Sequence, residues 1–252
     1  MTSTIAVIGK SGSGKTTIVR ALQNTIKDFF PEKSILLIDN DLSQELAQRF
    51  NLAINNTVYG IRSGKHEYNT GIPKKMTKQE YVEWALEDIL TEIDDNTEIL
   101  VSHLVASKDC ICPITKIMNE ALVKLIDRYD FVIFDCEYDL KYLTQLVDYP
   151  IDTTLLVTKP DSKSLLLASK IYESNKKYAA AGQFSIILNQ LKNGQENIIQ
   201  EASKAYSLDI LGVIQKYDDA ADNNKVNYEA TEIMKNLYSR LNLPQNIQFK
   251  RA

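Results

Sequence analysis

Gly9-Lys10-Ser11-Gly12-Ser13-Gly14-Lys15-Thr16-Thr17 follows directly on the apolar run Thr4-Ile5-Ala6-Val7-Ile8. The spacing is G-x-x-x-x-G-K-[ST], set between a short β-rich segment and a helical pattern. Gly12 and Gly14 allow the backbone to curl so that successive N–H groups point inward at phosphate oxygens. Lys15 would reach the β- and γ-phosphates and Thr16 would place its hydroxyl on Mg²⁺. The helix that follows would aim its positive end at the anion. The stretch Gly9–Thr17 therefore predicts a nucleoside triphosphate site.

The chain around it has 252 residues, 44% of them apolar, enough for one large α/β core. β-type runs at Thr4–Ile8, Ser34–Ile38, Glu98–Val101, Phe131–Phe134, Thr153–Val157, Phe184–Leu188 and Ile210–Ile214 alternate with helical stretches. The helices are expected at Lys15–Asp28, Lys78–Ile93, Thr115–Arg128, Asp161–Ala180, Glu196–Tyr206 and Glu229–Leu241. In the second, Tyr81, Trp84, Ala85, Ile89 and Ile93 share a face at helical spacing. Alternation of this kind predicts an α/β fold, a single P-loop NTPase domain over residues 1–252. Its sheet would be mostly parallel with helices on both faces, and ligands would sit at the carboxyl ends of the strands. The polar connection Asn51–Thr77, with Gly60, Gly64, Gly71 and Pro73, shows no period.

Apolar runs are short and interrupted by charge, which argues against a membrane span. The start, Met1-Thr2-Ser3-Thr4, has no basic n-region, so no signal peptide is expected. A net charge of −4 argues against a broad nucleic-acid footprint. The three cysteines, Cys110, Cys112 and Cys136, are too few and odd in number for a disulfide framework. A cytoplasmic location is the resulting expectation.

Further residues carry chemistry at strand ends. Asp39 and Asp41, in Asp39-Asn40-Asp41-Leu42-Ser43, stand where carboxylates hold metal-bound water or orient an attacking one. The same tripeptide also makes a good turn and helix cap. Phe131-Val132-Ile133-Phe134-Asp135 is an apolar strand ending in a carboxylate suited to the Mg²⁺ shell. Asn189, after Ile187-Leu188, offers an amide with both donor and acceptor. Cys110-Ile111-Cys112 supplies half of a four-thiolate site, which a two-fold dimer would complete. His66 and His103 are isolated, and Cys136 reads as packing.

Lys10, one residue after the first glycine, resembles the signature of the deviant Walker A group, which includes MinD- and ParA-like ATPases and nitrogenase iron protein. By that resemblance Lys10 contacts the nucleotide of a partner subunit in an ATP-bound homodimer. Asp39 takes a Mg²⁺-linked role, Asp41 positions water, and Asn189 reads the adenine edge. Met76–Tyr81, Cys110-Ile111-Cys112, Tyr129–Glu137 and Asp152–Pro160 together resemble CooC-type nickel-insertion ATPases. In that family the paired cysteines bind Ni²⁺ or Zn²⁺ at the dimer interface. The client would be a nickel metalloenzyme such as carbon monoxide dehydrogenase or acetyl-CoA synthase. Asp139 replaces the family's switch glycine and Tyr142 its histidine, so ATP binding is a firmer expectation than fast turnover. The alternatives are a MinD/ParA-like positioning ATPase and a nucleotide-dependent iron–sulfur carrier. Against the first, the tail Asn242–Phe249 lacks an amphipathic or basic pattern.

Overall fold

The computed structural model describes residues 2–41, 43–63, 72, 75–102, 113–137, 147–175, 182–195, 197–206, 208–217 and 223–240. Eight strands are hydrogen-bonded in one sheet: β1 (Ser3–Ile8), β2 (Ile35–Asn40), β3 (Thr91–Asp94), β4 (Thr97–Val101), β5 (Phe131–Cys136), β6 (Thr153–Thr158), β7 (Gln183–Leu191) and β8 (Ile210–Gln215). Their order is β3-β4-β2-β5-β1-β6-β7-β8. The pairs β2–β4, β2–β5, β6–β7 and β7–β8 are parallel, and β3–β4 is antiparallel. This is the α/β fold with a mostly parallel sheet that the alternation predicts. By contacts the chain groups into two compact units, Met1–Ala6 with Lys33–Ile151 and Val7–Glu32 with Asp152–Ala252.

In the first unit β5 is buried at every residue and β2 at all but its last. Strands covered on both faces need apolar side chains throughout, which is why these segments read as unbroken runs. Among the described residues four helices accompany them: α2 (Glu45–Arg49), α3 (Val58–Arg62), α4 (Lys78–Asp88) and α5 (Pro113–Ile126). At the start of α4 the Glu80 backbone N–H donates to Thr77 Oγ1 at 3.2 Å and the Thr77 N–H to Glu80 Oε2 at 2.7 Å. Together these bonds form a capping box.

Three expectations need correction here. The helix read as Lys78–Ile93 stops at Asp88, and Thr91–Asp94 is instead the edge strand β3. Asp95 and Asn96 form a tight turn into β4, with the Asn96 N–H donating to Asp94 Oδ1 at 3.3 Å. The buried stripe of α4 is Val82, Ala85 and Leu86, continued by Ile89, while Tyr81 and Trp84 are half-buried with ring centroids 6.0 Å apart. The connection Asn51–Thr77, read as aperiodic, contains α3, capped by Thr57, whose hydroxyl accepts from the Gly60 N–H at 3.2 Å. A helix of five residues is shorter than the window in which periodicity can be read.

In the second unit, α1 (Lys15–Phe29) buries Ile18, Val19, Leu22 and Ile26, the stripe of a one-sided helix. It packs against α8 (Asn223–Arg240), which also packs on β8 and begins at Asn223 rather than at Glu229. The same unit also holds α6 (Ser162–Asn175) and α7 (Asn197–Tyr206).

Candidate functional site

The phosphate-loop segment leaves β1 at Gly9, whose φ is 148°, and a Cβ built there would stand 2.3 Å from the Val157 carbonyl oxygen of β6. Only glycine fits so close to a neighbouring backbone. The loop then turns, with the Ser13 N–H donating to Lys10 O at 3.0 Å. Gly14, at φ 94° and ψ 21°, stands at the N-cap of α1 and has no side chain with which to cap that helix end. The first-turn N–H groups of α1 are thus left for an anion. Lys15 and Thr16 are buried, whereas Lys10, Ser11 and Gly12 are exposed and Thr17 is half-buried.

Asn189 holds this loop from a distance of 176 residues, donating from Nδ2 to Ser13 O at 2.7 Å. A Cβ on Gly14 would come within 2.2 Å of the same amide nitrogen, so that glycine makes room for the tie. The sequence places Asn189 just beyond a strand ending at Leu188, but β7 continues to Leu191 through a bulge. Asn189 and Leu191 pair with the consecutive residues Ile214 and Gln215, leaving Gln190 as the inserted residue at φ 65°. The Gln190 N–H donates to Asn189 Oδ1 at 2.9 Å, fixing the amide's orientation. One N–H of that amide and one lone pair of its oxygen remain beyond these two bonds, the set an adenine edge requires.

Asp39 and Asp135 belong to the first unit. Each was expected just past or at a strand end, yet both lie inside strands, fully buried and paired in register across β2 and β5. The register sets them on the same face of the sheet. Asp39 Oδ1 accepts from the Asp41 N–H at 3.2 Å and Oδ2 from the Ala47 N–H at 3.1 Å. Burial pushes its carboxyl up to about 6, against those two bonds and with help from the Asp41 charge. Two carboxylates buried side by side form an oxygen donor set that suits a hard divalent cation such as Mg²⁺. Asp41 is half-exposed, and its Oδ1 accepts from the Ser43 N–H at 2.9 Å and from the Ser43 hydroxyl at 2.7 Å. The turn-forming role of Asp39-Asn40-Asp41 is therefore realised alongside any chemical one. Asn40 Oδ1 accepts a short bond from the Ser102 hydroxyl, joining the ends of β2 and β4.

Cys110, Cys112, His66, His103, Asp139 and Tyr142 lie outside the described residues. Cys136 is fully buried in β5, as expected of a packing residue. Among the described residues no group of three or more His, Cys, Asp or Glu side chains is arranged to hold a metal ion, and no helix is long and apolar enough to cross a membrane. Lys159, part of the Asp152–Pro160 segment, was given no role of its own in the sequence. Its Nζ lies 4.0 Å from where a Cβ on Gly12 would stand, directly against the loop. The available signal was a basic residue just past the expected strand Thr153–Val157.

A family model described as an AAA domain, AAA_31, matches residues 2–181. The uncharacterized ATP-binding protein MJ0685 of Methanocaldococcus jannaschii is 25% identical over 252 residues, covering 94% of this chain and 98% of its own length. The fold is similar to septum site-determining protein MinD in complex with Mg-ADP from Pyrococcus horikoshii, at TM-score 0.66 and 20% identity over 96% of this chain and 98% of that one. Cobyrinic acid a,c-diamide synthase from Mycobacterium smegmatis, with bound ADP and magnesium, superposes at TM-score 0.71 and 15% identity, covering 98% of each chain.

Proposed function

The chain belongs to the AAA_31 family, and from that premise we propose that it is an ATP-binding nucleotide switch that dimerises on ATP and delivers a metal ion. The observation that carries the nucleotide part is the phosphate loop itself, with its two space-limited glycines, its uncapped helix N-terminus and its tie to Asn189. In this reading the backbone of Gly9–Thr17 wraps the phosphates and Lys15 neutralises their charge. Thr16, Asp39 and Asp135 would hold Mg²⁺, which would offset the charge that builds on the phosphoryl oxygens. Asp41 orients the attacking water, and the remaining N–H and lone pair of Asn189 meet the adenine edge. A relative named as an ATP-binding protein and similar folds solved with ADP and magnesium support ATP and Mg²⁺ as the ligands.

The finer reading adds Lys10 reaching the nucleotide of a second copy, and Cys110 with Cys112 from each copy enclosing one Ni²⁺ or Zn²⁺. ATP would favour the closed dimer, and hydrolysis, slow because of Asp139, would loosen it towards a client nickel enzyme. The deviant Walker A lysine and the C-x-C spacing support this reading. Sedimentation and metal analysis with and without ATP test it. The expected result is a dimer carrying about one metal ion per two chains. Lys10→Ala should stay monomeric with ATP, and the Cys110→Ser/Cys112→Ser double variant should lose the metal while keeping ATP. Metal retention by that variant would refute delivery and leave the nucleotide switch standing. The fold shared with MinD supports a second reading, a positioning ATPase. ATP-dependent co-sedimentation with liposomes or DNA would favour it.

A further inference from the structure

Beside the phosphate loop, and wholly within the second unit, lies a cavity of about 250 Å³. Three lysines are among the residues that line it, Lys10 from the loop, Lys159 from just past the end of β6 and Lys163 from the first turn of α6. One carboxylate stands among them, that of Asp161, and it is engaged as the cap of α6, accepting from the Ser164 N–H at 2.9 Å. The balance of formal charge among these lining side chains is thus positive. Leu156, Leu167, Ala168 and Ile171 give the same cavity an apolar share of its lining. Ser13 also lines the cavity, and among the described residues its buried hydroxyl has no hydrogen-bond partner.

A purely ionic ligand would satisfy the lysines and leave the apolar wall idle. A purely apolar one would leave the lysines unused and the buried Ser13 hydroxyl without a partner. We propose that this cavity binds a small organic acid, its carboxylate held by Lys10, Lys159 and Lys163 and its hydrocarbon body resting on Leu156, Leu167 and Ile171. The volume holds about eight groups the size of a water molecule, which matches hexanoate. Ammonium–carboxylate bonds are charge-assisted and supply the discrimination, while burial of the chain adds affinity.

Calorimetry on the full chain without nucleotide tests the proposal, with sodium hexanoate as the probe. Hexanoate should bind saturably and hexan-1-ol and acetate at least about tenfold more weakly, the first lacking the charge and the second the body. Lys163→Glu, an exposed change, should weaken hexanoate by about tenfold or more, and Lys163→Arg should restore most of it. Ala168→Phe should block the cavity; if that variant does not fold, the two Lys163 variants decide. Binding should survive saturating ADP and Mg²⁺. Three results would overturn the proposal: equal affinity for hexan-1-ol, unchanged affinity in Lys163→Glu, or complete displacement by ADP. The last would make the cavity a part of the nucleotide's own site. Displacement of hexanoate by an equal concentration of inorganic phosphate would overturn the hydrocarbon half.

Discussion

The phosphate loop and the acidic segment at the end of β2 both hold polar groups where the sheet ends, but they are secured in opposite ways. The loop is tied by a residue 176 positions distant, through the Asn189 amide on Ser13 O. The acidic segment is tied by neighbours, through Asp39 to Asp41 and Ala47 and through Asp41 to Ser43, at separations of two, eight and two. A locally closed turn keeps its shape wherever its few residues fold. A remotely tied loop keeps its shape only while two distant strands stay in register. Disturbing the remote tie should therefore damage nucleotide binding, whereas disturbing the local turn should damage later steps.

The largest effect is expected of Lys15→Ala, which removes a buried cation from the loop and should lower affinity for a fluorescent ATP analogue by about a hundredfold or more. Gly14→Ala comes next. It imposes a strained φ and drives a Cβ into the Asn189 amide, costing about 1–3 kcal/mol in urea unfolding and weakening nucleotide binding with it. Asn189→Ala leaves the Ser13 carbonyl without its donor, for about 1–2 kcal/mol, and should also lower nucleotide affinity. Equal nucleotide affinity in Asn189→Ala and wild type would break the contrast.

Asp41→Ala is the local counterpart. It loses two bonds to a half-exposed turn, so stability should fall by about 1 kcal/mol or less and nucleotide affinity should hold. Steady-state phosphate release should drop if Asp41 orients water. The smallest effect is expected of Asp130→Asn. Lys33, at 2.8 Å, and the Ser34 N–H and hydroxyl hold the Asp130 carboxyl below its ordinary value, against desolvation. A folded value depressed below the unfolded one means stability present above the unfolded pKa and lost as pH falls through the folded one. The pair is more than a third exposed, so solvent screening limits this to under about 1 kcal/mol. Wild type and Asp130→Asn should differ slightly in thermal midpoint at neutral pH and converge below the ordinary carboxylate range.

The strands were legible because their apolar runs follow from burial on both faces. Their ends were less so, since Asp39, Asn40 and Asn189 are polar residues inside strands, and polarity alone reads as loop. The helix over-extended from Lys78 to Ile93 failed for a related reason: Ile89 and Ile93 continue a helical spacing, while Asp95-Asn96 makes the turn that pairs Thr91–Asp94 with β4. Gln190 in a left-handed conformation leaves no mark in composition, because its strain is compensated by the bulge around it. The Lys159 ammonium against Gly12 joins residues far apart in the chain, which no window of sequence contains.

By itself the sequence determined the glycine spacing of the phosphate loop, the helix that starts at Lys15 and the alternation that makes the sheet mostly parallel. Each of these follows from sterics and periodicity over a few neighbouring residues. Only the tertiary structure decided that Asn189 holds Ser13, that Asp39 is buried beside Asp135, and that three lysines line one cavity. Those facts depend on which strands lie side by side, and strand neighbours are selected by the packing of the whole chain.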